Sequence, residues 1–354
     1  MADTEYYYVT PTGSDTAGNG TSWGTAYATL QFAVDDIWAT HTPQRRNVIY
    51  CSGDFSISTP LDFSSASPVL SLAKRVIFIG RGKDAVDDGQ RTAVTADDNV
   101  YYDTVSDYLY WFGFNFKWNQ VTSLQKCFRV DRGCEWHDCV FDGEGSNGQI
   151  VYQGLFNNKF HRCQFLNMYQ PPGNLSIGGI VDHCFCQMAS GRSGGFGTYR
   201  DGGISNSVVL SQGTAFSMTA GAYCTNNTAI QTHTYPAGTA FSVNTGESSF
   251  ISNNYCENFS FGYSINSATP ILKDNFYYNS GTPINYVTST DEIEYGTRTR
   301  PVIELTEPLY TDAKNLDFSL NYGATVLQPW ANYQYPGAVA LLNKMATVAA
   351  RVRG

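Results

Sequence analysis

Few residues in this chain are of a kind that does chemistry. Asp142 and Glu144, in Phe141-Asp142-Gly143-Glu144-Gly145, are two carboxylates separated by one residue on an expected loop. A second stretch, from Gly191 to Gly203, holds Arg192, Tyr199, Arg200 and Asp201. Two carboxylates about 5–9.5 Å apart can cleave a glycosidic bond, and Tyr169 or Tyr199 could serve as an aromatic platform for a sugar. If the chain is an enzyme, its site is expected at Asp142, Glu144, Arg192, Arg200 and Asp201, brought together across one turn of chain. The five histidines, His41, His137, His161, His183 and His233, show no metal-ligand spacing, so no metal and no cofactor are expected. Gly-rich loops with scattered charge are also what the outside of a repetitive β fold looks like, and the favoured reading assigns no catalytic residue.

These residues must be positioned by an internal repeat. A phrase recurs: an apolar residue, two polar or small ones, then Cys, Ser or Asn, one variable residue, and another apolar or small residue. Its copies are Trp136/Cys139/Phe141, Phe160/Cys163/Phe165, Val181/Cys184/Cys186, Ile204/Ser207/Val209, Cys224/Asn227/Ala229, Ile251/Asn254/Cys256 and Leu272/Asn275/Tyr277, with a weaker copy ending at Phe114 and Phe116. The middle column advances by 24, 21, 23, 20, 27 and 21 residues. A period near 22 with short strands predicts a parallel β-solenoid, each coil stacked about 4.8 Å above the last. The outer columns, with Phe141, Phe165, Val209 and Tyr277, should line one core. The middle column should form a ladder of buried side chains at a bend. Stacked Cys139, Cys163 and Cys184 would keep their Cβ atoms about 4.8 Å apart, beyond disulfide reach, and so remain thiols.

Composition agrees. The 354 residues include 33 Gly, 24 Tyr and 21 Phe, a supply of turns and aromatic strand positions. Only 15% are charged, against about 25% in typical proteins. The net charge of −9 argues against a nucleic-acid partner. No apolar run reaches the roughly 18 residues of a membrane helix. The start, Met1-Ala2-Asp3-Thr4-Glu5, has no basic region and no apolar stretch, so cytoplasmic synthesis without a signal peptide is expected.

At the N-terminus, Tyr6–Val9 reads as a strand. Thr29 reads as the cap of a helix bearing Leu30, Ala33, Val34, Ile37 and Trp38, which could cover the first coil. Tyr8-Val9-Thr10-Pro11-Thr12-Gly13-Ser14-Asp15, Gly18-Asn19-Gly20-Thr21-Ser22-Trp23 and Ala28-Thr29-Leu30-Gln31 resemble the start of right-handed parallel β-helix proteins of the pectate-lyase-like superfamily. Asp317-Phe318-Ser319-Leu320 is similar to their closing phrase. The resemblance covers roughly residues 6–335. It implies an all-β, right-handed parallel β-helix, and says little of function, because lyases, hydrolases, tailspikes and non-catalytic proteins share the architecture. The Asn-Thr-Asp, Gly-His-Gly and Arg-Ile-Lys phrases of polygalacturonase-like members are missing, as is the Arg-x-Pro-x-x-Arg phrase of pectate lyases. Asp182-His183-Cys184 superficially matches a lyase phrase, but it lies in the repeat, with Asp138-Cys139 and Asp274-Asn275 as counterparts, and reads as structural.

The expected organisation is an N-terminal strand, loop and capping helix over 1–46, about eleven coils over 47–310, and a closing segment with a short helix over 311–354. Leu341, Leu342, Met345 and Val348 share a face of that last helix, and with Arg351 they form the expected contact to a partner. Residues 339–354 carry +3, leaving −12 for the rest. The resemblance to phage-encoded β-helix proteins implies a non-enzymatic virion protein (capsid decoration, head fibre or tail) contacting other virion proteins, with homotrimers common among such chains. The alternative is a tailspike-type polysaccharide depolymerase, a glycosidase or lyase acting on host surface polysaccharide.

Overall fold

The computed structural model describes residues 4–40, 46–59, 61–62, 75–80, 92–96, 102–103, 108–118, 126–129, 133–143, 149–152, 157–169, 174–177, 179–219, 221–233, 237–244, 249–266, 270–286 and 302–320. Glu144 and the expected C-terminal helix, with Leu341, Leu342, Met345, Val348 and Arg351, lie outside them. The chain divides into two compact units, Met1–Gly173 and Asn174–Gly354.

In the first unit, three parallel sheets take one strand each from successive turns of chain. The turn Arg46–Cys51, Asp54–Ile57, Leu61–Asp62 is an example. The first sheet runs Thr4–Val9, Arg46–Cys51, Val76–Ile79, Leu109–Phe112, Glu135–His137, Lys159–His161. In the second unit, the same sheet position is filled by Ile180–Asp182, Gly203–Ser205, Tyr223–Thr225, Phe250–Ser252 and Ile271–Lys273. The third sheet there has six strands, from Asn174–Ile177 to Thr282–Tyr286. Each unit is a parallel β-solenoid, as the repeat predicts. Within a unit no sheet exceeds six strands, so each holds about six turns, and the first sheet takes six strands from the first unit and five from the second. The first sheet also begins earlier than expected, because Thr4–Val9 already pairs residue for residue with Arg46–Cys51.

The core follows from strand alternation. In three-residue strands the middle side chain points inward, so Trp111, Trp136 and Phe160 stack in one column, and Val181, Ile204, Cys224, Ile251 and Leu272 fill the equivalent column of the second unit. Phe116, Phe141 and Phe165 stack in the next sheet, with Phe141 and Phe165 rings 4.9 Å apart and nearly parallel. Phe160 meets Phe165 edge-on at 5.2 Å, the arrangement the ring quadrupoles favour. Phe141, Phe165 and Val209 are buried as predicted, but Tyr277 is only half-buried. In its column Ala229 and Cys256 precede it and the exposed Glu304 follows it. Its hydroxyl instead pairs with Glu304, and burial with that bond pushes it up to about 12.

The helix Leu30–Thr40 buries Leu30, Ala33, Val34 and Ile37. Thr29 Oγ1 accepts from the Phe32 N–H at 3.2 Å, the expected cap. Asp15 holds the approach by accepting from the Ala28 N–H and the Thr29 hydroxyl, both at 2.8 Å. The closing phrase forms the strand Asp317–Leu320, antiparallel to Tyr310–Asp312, and the buried Tyr310 hydroxyl lies 3.1 Å from Thr228 Oγ1.

Between the first two sheets sits the ladder. In the second unit, the Asn227, Asn254 and Asn275 amides each donate to a carbonyl one coil back, at Ile204, Cys224 and Ile251, all at 2.9 Å. Their Oδ1 atoms accept from the backbone N–H of Ser207, Asn227 and Asn254. In the first unit, the Cys139 and Cys163 thiols donate in the same way, to Trp111 O at 3.6 Å and Trp136 O at 3.3 Å. Substituting Asn254→Leu strands the Asn227 N–H and the Cys224 carbonyl in the core. The expected loss is about 1–3 kcal/mol for each stranded group, measurable by urea unfolding; a midpoint equal to that of the wild type would show the ladder is not formed.

Candidate functional site

The alternation that buries the middle residue of each first-sheet strand turns its neighbours outward. In the first unit this makes two adjacent rows. One contains Tyr110, Glu135 and Lys159, and the other Phe112, His137 and His161. Three coils thus contribute two residues each to one patch.

The patch is closely knit. Glu135 Oε1 lies 2.9 Å from Lys159 Nζ, and Oε2 lies 3.0 Å from His137 Nε2. The His137 ring is held between Phe112, at 4.5 Å and 7°, and His161, at 4.8 Å and 16°. The Arg75 guanidinium sits over the Tyr110 ring, 4.9 Å from its centroid. Glu135 and His137 side chains are only 16% and 17% exposed, Lys159 33%. Burial alone would raise the Glu135 carboxyl. The hydrogen bonds from His137 and Lys159, with their charges, outweigh it and hold it down at about 2. Burial, with Glu135 next, pushes the Tyr110 phenol up against the lowering pull of Arg75 and Lys159, so it is a proton donor and not a base. Just past the strands, Arg162 grips Asp138 with two bonds, at 2.7 and 2.8 Å.

Of the five residues expected to form an enzyme site, Glu144 lies outside the described residues, and the other four are placed as follows. Asp142 ends the strand Val140–Asp142 of the first unit and accepts from Asn167 Nδ2 at 2.9 Å. In the second unit, half-buried Arg192 precedes the strand Phe196–Tyr199, whereas exposed Arg200 and Asp201 follow it at positive φ. A four-residue strand, about 13 Å long, separates them, so no single loop presents all three. Asp182 is a structural acceptor, satisfied by Ser205 Oγ at 2.7 Å, Asn206 Nδ2 at 2.9 Å and His183 Nδ1 at 2.9 Å. Its place in the repeat differs by one residue from the expectation. It ends a first-sheet strand, in register with Ser205. The counterpart of Asp138 and Asp274 is His183, and all three have φ between 51° and 55°. His137 and His161 are therefore equivalent to each other and not to His183.

The sequence does contain a signal for the patch. Glu135-x-His137 and Lys159-x-His161 have the same alternation around an inward aromatic residue, 24 positions apart. Only strand register shows that Glu135 belongs with the two histidines.

No protein-family model matches the chain, and no curated protein does. Among solved structures, the chain is similar to the PL6 family polysaccharide lyase Pedsa3628 from Pseudopedobacter saltans, with a TM-score of 0.48 and 12% identity over 86% of this chain and 88% of that one. It is also similar to the PL6 family alginate lyase AlyGC, with a TM-score of 0.41 and 12% identity over 95% of this chain. The match spans 57% of the length of AlyGC. At these identities no residue of this chain is equated with one of theirs.

Because its carboxyl is held at about 2 in the fold, against 4.5 ordinarily, Glu135 stabilises the native state above pH 4.5. That contribution disappears as pH falls from about 4.5 through about 2. The melting temperature of Glu135→Gln should lie below that of the wild type at pH 6, and the two should converge towards pH 2. A gap independent of pH would contradict the ion-paired carboxylate.

Proposed function

We propose that the protein is a polysaccharide depolymerase of the eliminating kind, acting on acidic chains laid across the coils of the first unit. The observation that carries this reading is the outward patch of Tyr110, Glu135, His137, Lys159 and His161. Its residues come from three stacked coils about 4.8 Å apart, along the line a linear polymer would follow.

The state of Glu135 separates elimination from hydrolysis. A glycosidase needs a carboxylic acid that is protonated near neutrality, with its pKa raised by its surroundings. Glu135 is held in the opposite direction, at about 2, and Asp138 is tied to Arg162. Elimination has other needs. A cation draws charge from the sugar carboxylate, a base removes the proton on the adjacent carbon, and the C–O bond two atoms away breaks as a C=C bond forms. The departing oxygen then takes a proton. Lys159 suits the first role, the imidazoles of His137 and His161 the second, and the protonated Tyr110 phenol the last.

Uronate-containing polysaccharides incubated with the protein should develop the ultraviolet absorbance of unsaturated sugar ends. Lys159→Met and His161→Ala should each slow this by about 10²–10⁴-fold, the usual contribution of a placed proton-transfer group, whereas Arg200→Ala should not. Turnover unchanged in His161→Ala, or reducing ends formed without absorbance, would overturn the proposal.

A further inference from the structure

We infer that Glu135, His137 and His161 form a binding site for a divalent transition-metal ion, with Zn2+ or Ni2+ as the fitting class. One ligand atom from each residue falls within 4.8 Å of the others, and all three residues are half-buried. Two imidazoles and one carboxylate are a borderline donor set, which favours Zn2+, Ni2+ and Cu2+ over the oxygen-seeking Mg2+ and Ca2+. Metal–nitrogen bonds of about 2.0–2.1 Å require the two nitrogens to lie within about 4.2 Å. Stacked rings carry their lone pairs in nearly parallel planes, so the two imidazoles must tilt toward each other to meet one ion.

The surroundings are those of a prepared site. Phe112 stacks on the far face of His137 and limits how that ring can turn. Lys159 bonds Oε1 of Glu135, which leaves Oε2 for the ion and supplies the hydrogen bond that orients a ligating carboxylate. The ammonium also opposes the incoming charge, so affinity should be moderate and should rise when it is removed. The site goes beyond the depolymerase reading. If that reading also holds, a bound ion occupies the imidazole lone pairs that would accept a proton, and metal loading inhibits elimination.

The test is calorimetric titration of the full chain, stripped of metal, with Zn2+, Ni2+ and, as a control, Ca2+. The site predicts one equivalent of Zn2+ or Ni2+ at a Kd of about 1–50 µM, equivalent to roughly −6 to −8 kcal/mol. His137→Ala and His161→Ala should each weaken it at least about 10-fold, the scale on which even supporting groups act. His183→Ala should bind as the wild type, and Lys159→Met at least as tightly. Should a histidine variant not fold, imidazole resonances of the wild-type chain decide: Zn2+ must shift two of the five histidines. Absence of binding below about 100 µM, binding unaffected by both histidine substitutions, or Ca2+ bound as well as Zn2+ would overturn the site. These outcomes stand whether or not any polysaccharide is cleaved.

Discussion

Everything else in the two units hangs on one bend. Between the first and second sheets, eight of the described coils turn through a residue in the left-handed region. These are Gly113, Asp138 and Arg162 in the first unit, and His183, Asn206, Asn226, Asn253 and Asp274 in the second. That conformation is uncommon for residues with a Cβ, though Asn and Asp tolerate it best. Asn and Asp fill five of the seven non-glycine positions. Arg162 and His183 hold the same geometry with less suitable side chains, at a local strain of about 1–3 kcal/mol. Next to Arg162, the Cys163 thiol donates to the Trp136 carbonyl of the coil behind; next to His183, the Cys184 thiol donates to the Asp182 carbonyl and its N–H to Ser207 Oγ.

The ladder also explains why Cys and Asn share one column. Both can donate to the carbonyl one coil back, but the amide can in addition accept the backbone N–H of the coil behind, and does so at Asn227, Asn254 and Asn275. A thiol is a weak donor that buries like a small hydrophobe, which suits the aromatic first unit, where Trp136 and Phe160 fill the space. Burial pushes the described thiols that shift upward, Cys256 to about 12, so they are structural and not nucleophiles. A fixed bend also fixes register. Register is what places Glu135 beside Lys159 and His137 over His161 on the outside, while Trp136 and Phe160 stack within.

Much of the fold was legible because its signal is local and repeated. The Trp136/Cys139/Phe141 phrase and its successors give both the buried columns and the ladder, and Thr29 announces the helix start. Tyr277 was misplaced because a pattern of apolar positions does not show that the next residue in its column is the exposed Glu304, to which its hydroxyl bonds. The patch was harder to see. Glu135 and His161 are 26 residues apart, and only the pairing of two strands brings them together. The carboxylates Asp142 and Glu144 are two positions apart in sequence, and Glu144 lies outside the described residues. The expected virion role rested on resemblance and on the missing catalytic phrases, and no observation among the described residues supports it.

The central claim is that hydrogen bonds between stacked bends hold the coils in register. A double-mutant cycle on Asn227 and Asn254 measures it most directly, with Asn227→Ala, Asn254→Ala and the pair compared by equilibrium unfolding. These side chains share a bond of 3.1 Å, and Asn254 also accepts the Asn227 N–H at 2.8 Å. The account therefore predicts that the second substitution costs much less once the first is made, with a coupling of about 1–3 kcal/mol. Effects that add to within about 0.3–0.5 kcal/mol, as for distant independent sites, would contradict it.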